Sequence, residues 1–180
     1  MKILVLASAS VLAFATPAFA QSNVSVIDQV GSQNAATLYQ GTDNNASFIE
    51  QVSSNDTALV DQNGGDNVSF VKQSATEFVS GGNNAEIRMS GTDSLNITNQ
   101  AGQGNYANVT FSPAQTGGLS LVSQDGARNR AIVANGDEGN VSIISQTFDD
   151  NYANVYQDGY NNLSSVTQNG AFNTANVTQH

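Results

Sequence analysis

A pattern of four positions, each two residues apart, recurs along the chain from residue 23 to residue 179. It reads Asn, then Ser or Ala, then an aliphatic residue, then Gln, as in NYANVYQ at residues 151–157. Residues two apart share one face of a β-strand, whereas a helical face repeats roughly every 3.6 residues. Each unit therefore predicts one short strand, and the unit occurs fourteen times.

The amide residues are the most regular part of the pattern. Asn opens most units, at Asn23, Asn34, Asn45, Asn67, Asn83, Asn105, Asn129, Asn140, Asn151, Asn162 and Asn173. Gln closes most units, at Gln29, Gln40, Gln51, Gln62, Gln73, Gln100, Gln124, Gln146, Gln157, Gln168 and Gln179. Stacked strands lie about 4.8 Å apart, so we expect each amide to donate to one neighbour and to accept from the other, forming ladders. The departures are Asp56, Ser94 and Gly118 at the Asn position, and Met89, Phe111 and Asn135 at the Gln position.

The second position alternates between Ser and Ala, apart from Asn96, so the units form pairs. Each pair is a strand-turn-strand repeat of about 22 residues, called a rung here. The seven rungs begin near residues 23, 45, 67, 94, 118, 140 and 162. The links between units are rich in Gly, Asn and Asp, which favour tight turns, and two links, at 74–82 and 112–117, are longer. The pattern predicts an all-β chain, folded over residues 21–180 as a β-solenoid that forms a cross-β fibre when assembled.

The repeat pattern extends to both ends of the sequence, from Asn23 to Gln179. A solenoid that remains monomeric needs terminal elements that cover the main-chain groups of its first and last rungs. Uncovered strand edges are templates for further strands. We therefore expect the chain to polymerise with itself, end to end.

The first twenty residues have the features of a secretory signal peptide. Lys2 precedes a short apolar stretch, and the sequence from Ala18 to Ala20 is a small-residue cleavage site. The whole chain has no Cys and a formal charge of −10, with fifteen acids against five Lys and Arg. This charge argues against binding to nucleic acids or anionic lipids. We expect an exported protein that uses neither disulfides nor nucleic acid.

The units resemble curlin repeats of the form Q-x-G-x-x-N-x-A-x-V-x-Q, most clearly at residues 151–157 and 168–173. This resemblance implies a structural subunit of an extracellular curli-like amyloid fibre on the bacterial cell surface, active in biofilm matrix and adhesion. It also implies a nucleator subunit, periplasmic chaperones and an outer-membrane secretion pore as partners. Family subunits usually carry a non-repeat segment after the signal, whereas here the repeats begin almost at once. The aliphatic residue in both strands is also similar to the minor, nucleating subunit, so both roles stay open.

The variable positions of the first strand in each pair are mostly apolar, and those of the second strand are mostly polar. The apolar set includes Phe48, Phe70, Ile97, Leu121 and Ile143. A large exposed apolar patch usually serves binding. This face is therefore predicted either to join fibres laterally or to adhere to hydrophobic surfaces, unless the solenoid buries it.

Other classes of function find less support in the sequence. A monomeric secreted β-solenoid adhesin would need end caps, and a polysaccharide-acting enzyme would need clustered carboxylates, whereas acids such as Asp28, Glu50 and Asp61 are dispersed. His180 is the only His and lies at the terminus, so no acid-base partner is evident. Acidic links such as residues 137–138 favour solvated turns over a metal site. We expect no catalytic residues, no metal and no cofactor.

Overall fold

In the computed structural model, which describes residues 22–75 and 81–180, fourteen β-strands coincide with the fourteen predicted units. They are β1 (Val24–Gln29), β2 (Ala35–Gln40), β3 (Ala46–Val52), β4 (Thr57–Gln62), β5 (Val68–Ser74), β6 (Asn84–Met89), β7 (Leu95–Gln103), β8 (Tyr106–Phe111), β9 (Leu119–Ala127), β10 (Arg130–Asn135), β11 (Val141–Thr147), β12 (Tyr152–Gln157), β13 (Leu163–Asn169) and β14 (Thr174–Gln179). The predicted signal peptide, residues 1–20, lies outside the described residues.

The strands form two parallel sheets of seven strands each. Sheet A contains the odd-numbered strands in the order β1-β3-β5-β7-β9-β11-β13, and sheet B contains the even-numbered strands from β2 to β14. One odd strand and the even strand after it make one turn of a solenoid. The predicted all-β solenoid with seven rungs of about 22 residues is confirmed.

Neighbouring strands pair in the register of the repeat, so that Ser25 aligns with Ser47 and Gln29 aligns with Gln51. Equivalent Gln residues are 22 positions apart in regular rungs, and 27 and 24 apart across the rungs with longer links. The extra residues therefore lie in the links and leave the strand register unchanged.

The core is a single layer of inward side chains between the two sheets. Its aliphatic members come from the third position of the pattern, including Ile49, Val60, Ile87, Val109 and Val155, each at most 1% exposed. Val166 in the last rung is 6% exposed, but the other three equivalent residues of the end rungs are only partly buried, because no described rung covers them. They are Ile27, Leu38 and Val177.

Each corner of the solenoid uses the same backbone geometry. The residue immediately before the Asn position has a positive φ in all fourteen units: Ser22, Gln33, Asn44, Asn55, Asp66, Gly82, Asp93, Gly104, Gly117, Arg128, Gly139, Asp150, Asn161 and Phe172. Gly, Asn and Asp adopt this conformation at low cost, which explains why they dominate the links. Gln33, Arg128 and Phe172 are less suited to it, so the surrounding rungs hold them there.

Candidate functional site

A continuous column of Gln side chains runs through sheet A. Each Nε2 donates to the Oε1 of the next Gln at 2.6–2.9 Å, in one direction from Gln29 to Gln168. From Gln51 onward, each Nε2 also donates to a main-chain carbonyl of sheet B, as Gln100 does to Asn84 at 3.0 Å. The column links rung to rung and sheet to sheet, and its members are Gln29, Gln51, Gln73, Gln100, Gln124, Gln146 and Gln168.

The Gln column of sheet B is interrupted in the middle of the chain. Hydrogen bonds of 2.9 and 2.8 Å join Gln40 to Gln62 and Gln157 to Gln179. Between these pairs lie Met89, Phe111 and Asn135, which are all buried. In place of a ladder bond, Gln62 donates a weak bond of 3.8 Å to the sulfur of Met89, while its Nε2 also donates to the carbonyls of Ala46 and Asn67 at 3.2 Å.

The Asn residues form columns that combine side-chain and main-chain hydrogen bonds. On the sheet B side, the Nδ2 of Asn105, Asn151 and Asn173 donates to the Oδ1 of the preceding Asn at 3.0–3.1 Å, which is the predicted kind of ladder bond. The Oδ1 of each Asn accepts from the main-chain N–H of the next Asn position, as between Asn151 and Asn173 at 3.0 Å. The Nδ2 usually donates to a carbonyl in the corner of the next rung, as from Asn34 to Ser53 at 2.8 Å. On the sheet B side the column is unbroken and contains Asn34, Asp56, Asn83, Asn105, Asn129, Asn151 and Asn173. On the sheet A side it contains Asn23, Asn45 and Asn67 and then Asn140 and Asn162, with Ser94 and Gly118 between them.

The longer link at residues 112–117 compensates for the missing Asn at Gly118. Gln115 is fully buried, and a Cβ added at Gly118 would lie 2.7 Å from both the Nε2 of Gln115 and the ring of Phe111. Gln115 lies in a link, and nothing in the repeat pattern marks it as buried. Gly118 therefore leaves space that Gln115 and Phe111 fill.

The two ends of the solenoid present complementary main-chain groups. At an internal step, the N–H of Tyr152 donates to the carbonyl of Asn173 in the next rung at 2.8 Å. Thr174 in the last rung is the equivalent of Tyr152, and Asn34 in the first rung is the equivalent of Asn173. Among the described residues, no further strand pairs with β1, β2, β13 or β14 on their open sides.

The outer surface of sheet A carries two apolar rows. Row 1 consists of Val24, Ala46, Val68, Leu95, Leu119, Val141 and Leu163. Row 2 consists of Val26, Phe48, Phe70, Ile97, Leu121, Ile143 and Ser165, and so contains all five residues predicted for a lateral face. The rings of Phe48 and Phe70 stack with centroids 4.9 Å apart, and Phe70 is 41% exposed.

A third outward row on sheet A is polar, but it carries charge only in the first three rungs, at Asp28, Glu50 and Lys72. The Nζ of Lys72 lies 2.9 Å from the carboxylate of Glu50. A shallow groove of about 540 Å³ separates this row from row 2 across the first four rungs. From rung 4 to rung 7 the one charged residue on the outer face of the described strands of sheet A is Asp125, near the end of β9.

Sheet B presents a more polar outer face. The guanidinium of Arg130 lies between the rings of Tyr106 and Tyr152, at 5.2 and 5.8 Å from their centroids. Glu86 accepts a hydrogen bond of 3.0 Å from Asn108. This side of the solenoid therefore differs in chemistry from the apolar rows of sheet A.

One exposed ion pair connects two corners. Arg128 donates two hydrogen bonds to Asp150, of 2.8 and 2.6 Å. These bonds, together with the opposite charge, lower the pKa of Asp150 and raise the pKa of Arg128. Both side chains remain open to solvent, so screening limits the contribution of the pair.

The described residues contain no group of three or more His, Cys, Asp and Glu arranged to hold a metal ion. The ring of His180 contacts that of Tyr156 edge-on, with centroids 6.3 Å apart. No helix in the described part of the chain is able to cross a bilayer.

The fold is thus a parallel β-solenoid with amide columns inside, and at either end no strand of the described residues covers the terminal strand edges. The family model of the curlin associated repeat matches residues 149–180, which include β12, β13 and β14. This part of the chain carries a curlin associated repeat, as the sequence pattern predicted. Comparison with curated proteins and with solved structures gave no significant match.

Proposed function

We propose that the protein is a structural subunit of an extracellular curli-like amyloid fibre, which assembles by stacking the last rung of one copy on the first rung of another. The complementary open edges carry this proposal. Inside the solenoid, the N–H of Tyr152 donates to the carbonyl of Asn173 in the next rung. In the last rung the equivalent donor is the N–H of Thr174, and the equivalent acceptor is the carbonyl of Asn34 in the first rung of the next copy. A second copy placed one rung beyond β13 and β14 therefore continues both sheets.

Stacking also continues the apolar core from one copy into the next. It covers the partly buried Ile27 and Leu38 of one copy with Val166 and Val177 of the other. Burial of apolar surface contributes about 25 cal/mol for each Å², and each satisfied hydrogen bond contributes about 0.5–1.5 kcal/mol. The same interactions that join internal rungs thus favour the addition of a subunit.

The amide columns give the fibre a direction. Gln168 is the last donor of the sheet A column, and the Oε1 of Gln29 is its first free acceptor. The Oδ1 of Asn173 likewise meets the main-chain N–H of Asn34 in the next copy. Head-to-tail stacking pairs donors with acceptors, whereas head-to-head stacking opposes like groups.

The proposed function also includes a route of export and a set of partner proteins. Residues 1–20 act as a signal peptide, and the mature chain is secreted to the cell surface, where it contributes to biofilm matrix and adhesion. The similarity to curlin repeats supports a nucleator subunit, periplasmic chaperones and an outer-membrane secretion pore as partners. The role is structural, with no cofactor, no catalysis and no binding of nucleic acid.

The first experiment follows residues 21–180 after removal of denaturant, by thioflavin T fluorescence and fibre diffraction. We expect a lag that preformed seeds shorten and a reflection near 4.7 Å. A chain that assembles only on added fibres of a different subunit would fit a nucleator-dependent role. A β-rich monomer that stays soluble even with seeds of itself and of a nucleator would overturn the proposal and favour a monomeric adhesin.

A Pro at the open edge tests the stacking itself. Thr174→Pro removes an N–H that has no partner within the described residues, so the monomer keeps its stability while elongation slows at least about tenfold. Thr174→Ala retains the N–H and should elongate as the wild type does. Tyr152→Pro, one rung inside, breaks an existing bond and should destabilise the monomer. Equal elongation of the Pro and Ala variants at Thr174 would argue against this edge as the growth site.

A further inference from the structure

The residue directly after each strand of sheet B differs in size between the two ends of the solenoid. It is Gly41 in the first rung and His180 in the last, with Asp158 in the rung before. The N–H of this residue donates to the carbonyl of the Gln in the next rung, as from Gly41 to Gln62 and from Asp158 to Gln179, both at 2.8 Å. A large side chain at one end of the solenoid thus corresponds to no side chain at the other.

In a stack of two copies, the same main-chain bond places His180 beside Gly41 of the next copy. The N–H of His180 then donates to the carbonyl of Gln40 in that copy, one rung or about 4.8 Å away. A Cβ at Gly41 would lie 2.8 Å from the Oδ1 of Asn63 and 3.1 Å from the ring of Tyr39. The ring of Tyr39 therefore lies against the backbone of Gly41, directly beside the place that His180 takes in the stack.

On its other side, the ring of His180 contacts a Tyr of its own chain. Its centroid lies 6.3 Å from that of Tyr156, with an angle of 62° between the ring planes. Tyr156 and Tyr39 are each the fifth residue of their strands, and they are 42% and 53% exposed. In the stack, Tyr156 lies one rung before His180 and Tyr39 of the next copy lies one rung after it. The imidazole thus lies between two exposed Tyr rings.

The rungs that meet at this junction carry acids but no Lys or Arg. Residues 22–66, in the first two rungs, contain six acids, and residues 140–180, in the last two, contain three. The acids closest to the junction are Asp158, in the rung before His180, and Asp61, in the second rung of the next copy, whose carboxylate accepts from Asn63 at 2.7 Å. Among the described residues of these four rungs, His180 is the one side chain that can become a cation.

We propose that His180 makes fibre assembly depend on pH, because its imidazole packs between Tyr156 of its own chain and Tyr39 of the next copy and its protonation favours addition. The inference rests on the proposed function, since only end-to-end stacking brings Tyr39 of a second copy to His180. A His side chain changes its charge between about pH 8 and about pH 5. An imidazolium at the junction attracts the acids of both copies and interacts favourably with Tyr rings. The fibre therefore gains stability as the pH falls through this range, and loses it as the pH rises.

The test measures the soluble chain in equilibrium with seeded fibres at about pH 7.5 and about pH 5.5, in a fixed urea concentration that keeps both forms measurable. In the polypeptide of residues 21–180, the carboxylate that follows His180 stays ionised at both pH values, as ordinary Asp and Glu side chains do. The soluble concentration of the wild type should be about two- to fivefold lower at the acidic pH. His180→Gln keeps a polar side chain that does not titrate, and should lose this difference.

Two further variants separate the junction from the overall charge of the chain. Tyr39→Leu removes the ring on the far side of the junction, and should reduce the difference without abolishing it, because the acids remain. Ser123→His, added to His180→Gln, places an imidazole at an exposed position of β9 in the middle of the solenoid, and should not restore the difference.

A wild type without the difference, a His180→Gln variant that retains it, or a Ser123→His variant that restores it would overturn the inference. An unchanged difference in Tyr39→Leu would overturn the packing of His180 on that ring. Thioflavin T fluorescence and the reflection near 4.7 Å report stacking at both pH values independently of His180. Fibres that form in every variant with the same pH dependence would contradict this inference alone, whereas failure of the wild type to form fibres at either pH would contradict the proposed function as well.

Discussion

Gln100 donates a hydrogen bond of 2.9 Å from its Nε2 to the Oε1 of Gln124, although the two side chains are only 0% and 1% exposed. The same Nε2 donates to the carbonyl of Asn84, and the Oε1 accepts from Gln73. A buried amide costs free energy unless its groups are paired, and a column of identical amides pairs them without any other polar residue. The repeat therefore makes a polar interior stable by keeping Gln at every rung of sheet A.

Replacing Gln100 with Met tests the column. Met has a similar length, but it leaves the Oε1 of Gln124 and one hydrogen of Gln73 without partners, at about 1–3 kcal/mol for each buried group. Urea unfolding of freshly desalted monomer, at low concentration, should show this loss. Met89→Leu, at the equivalent position of sheet B, where the column is already interrupted, should cost less than about 1.5 kcal/mol. Equal losses in the two variants would show that packing volume, and not the amide column, stabilises the interior.

The corner at Phe172 offers a stabilising change. Phe172 has a φ of 59° and is 79% exposed, so its ring gains little from packing while its backbone is unfavourable for a bulky residue. Phe172→Asn should raise the free energy of unfolding by about 0.5–1 kcal/mol, in the same urea assay. Ala171→Asn makes the same replacement at the neighbouring exposed residue, where φ is not positive, and should have no stabilising effect. A loss of stability in Phe172→Asn would mean that the ring makes a contact that outweighs the backbone preference.

The sequence predicted the solenoid well because one short pattern determines each level of the fold. Positions two apart indicate strands, the alternation of Ser and Ala indicates paired strands, and constant spacing indicates register. The structure confirms the all-β solenoid, with two parallel sheets and about 22 residues in each regular rung. A repeat carries this information many times over, so single departures, such as Thr98 at an aliphatic position, do not obscure it.

The same reasoning fails where a residue acts outside the pattern. Gln115 lies in a link and is buried only because Gly118 leaves space beside Phe111. The positive φ of Gln33 likewise cannot be predicted from the sequence, because Gln has no preference for that conformation. A main-chain N–H donates to the Asn Oδ1 atoms in addition to the side-chain Nδ2 donors of the sheet B column, and the identity of the side chains does not predict this main-chain bond. These features depend on neighbouring rungs and not on the local sequence.

The ion pair of Arg128 and Asp150 predicts a small dependence on pH. The folded pKa of Asp150 lies below its ordinary value of 3.8, so the pair contributes its stability above that pH. This contribution is lost as the pH falls through the folded pKa. Asp150→Asn should therefore be less stable than the wild type at neutral pH, and the difference should shrink in acid. A difference that stays constant with pH, measured by urea unfolding at several pH values, would assign the effect to something other than the charge of Asp150.

Restoring a side chain at Gly118 tests whether the irregular rung is adapted to its departures. A consensus view of the repeat treats Gly118 as a defect, since most units have Asn there. In the structure, a Cβ at this position meets Gln115 and Phe111 at 2.7 Å, so Gly118→Ala should destabilise the monomer by about 1–3 kcal/mol.

Gly65 provides the matched comparison for Gly118. Its φ is not positive, and a Cβ there lies 3.5 Å from its nearest neighbour, the carbonyl oxygen of Asp43, which is ordinary contact. Gly65→Ala should therefore be neutral or stabilise the monomer by about 0.4–1 kcal/mol, because Ala restricts the unfolded chain. If both variants are neutral, Gln115 moves aside at no cost, and its buried position is a consequence of the free space beside Gly118. If only Gly118→Ala is unstable, the longer link, Phe111 and Gly118 act as one unit that replaces the Asn column in this rung.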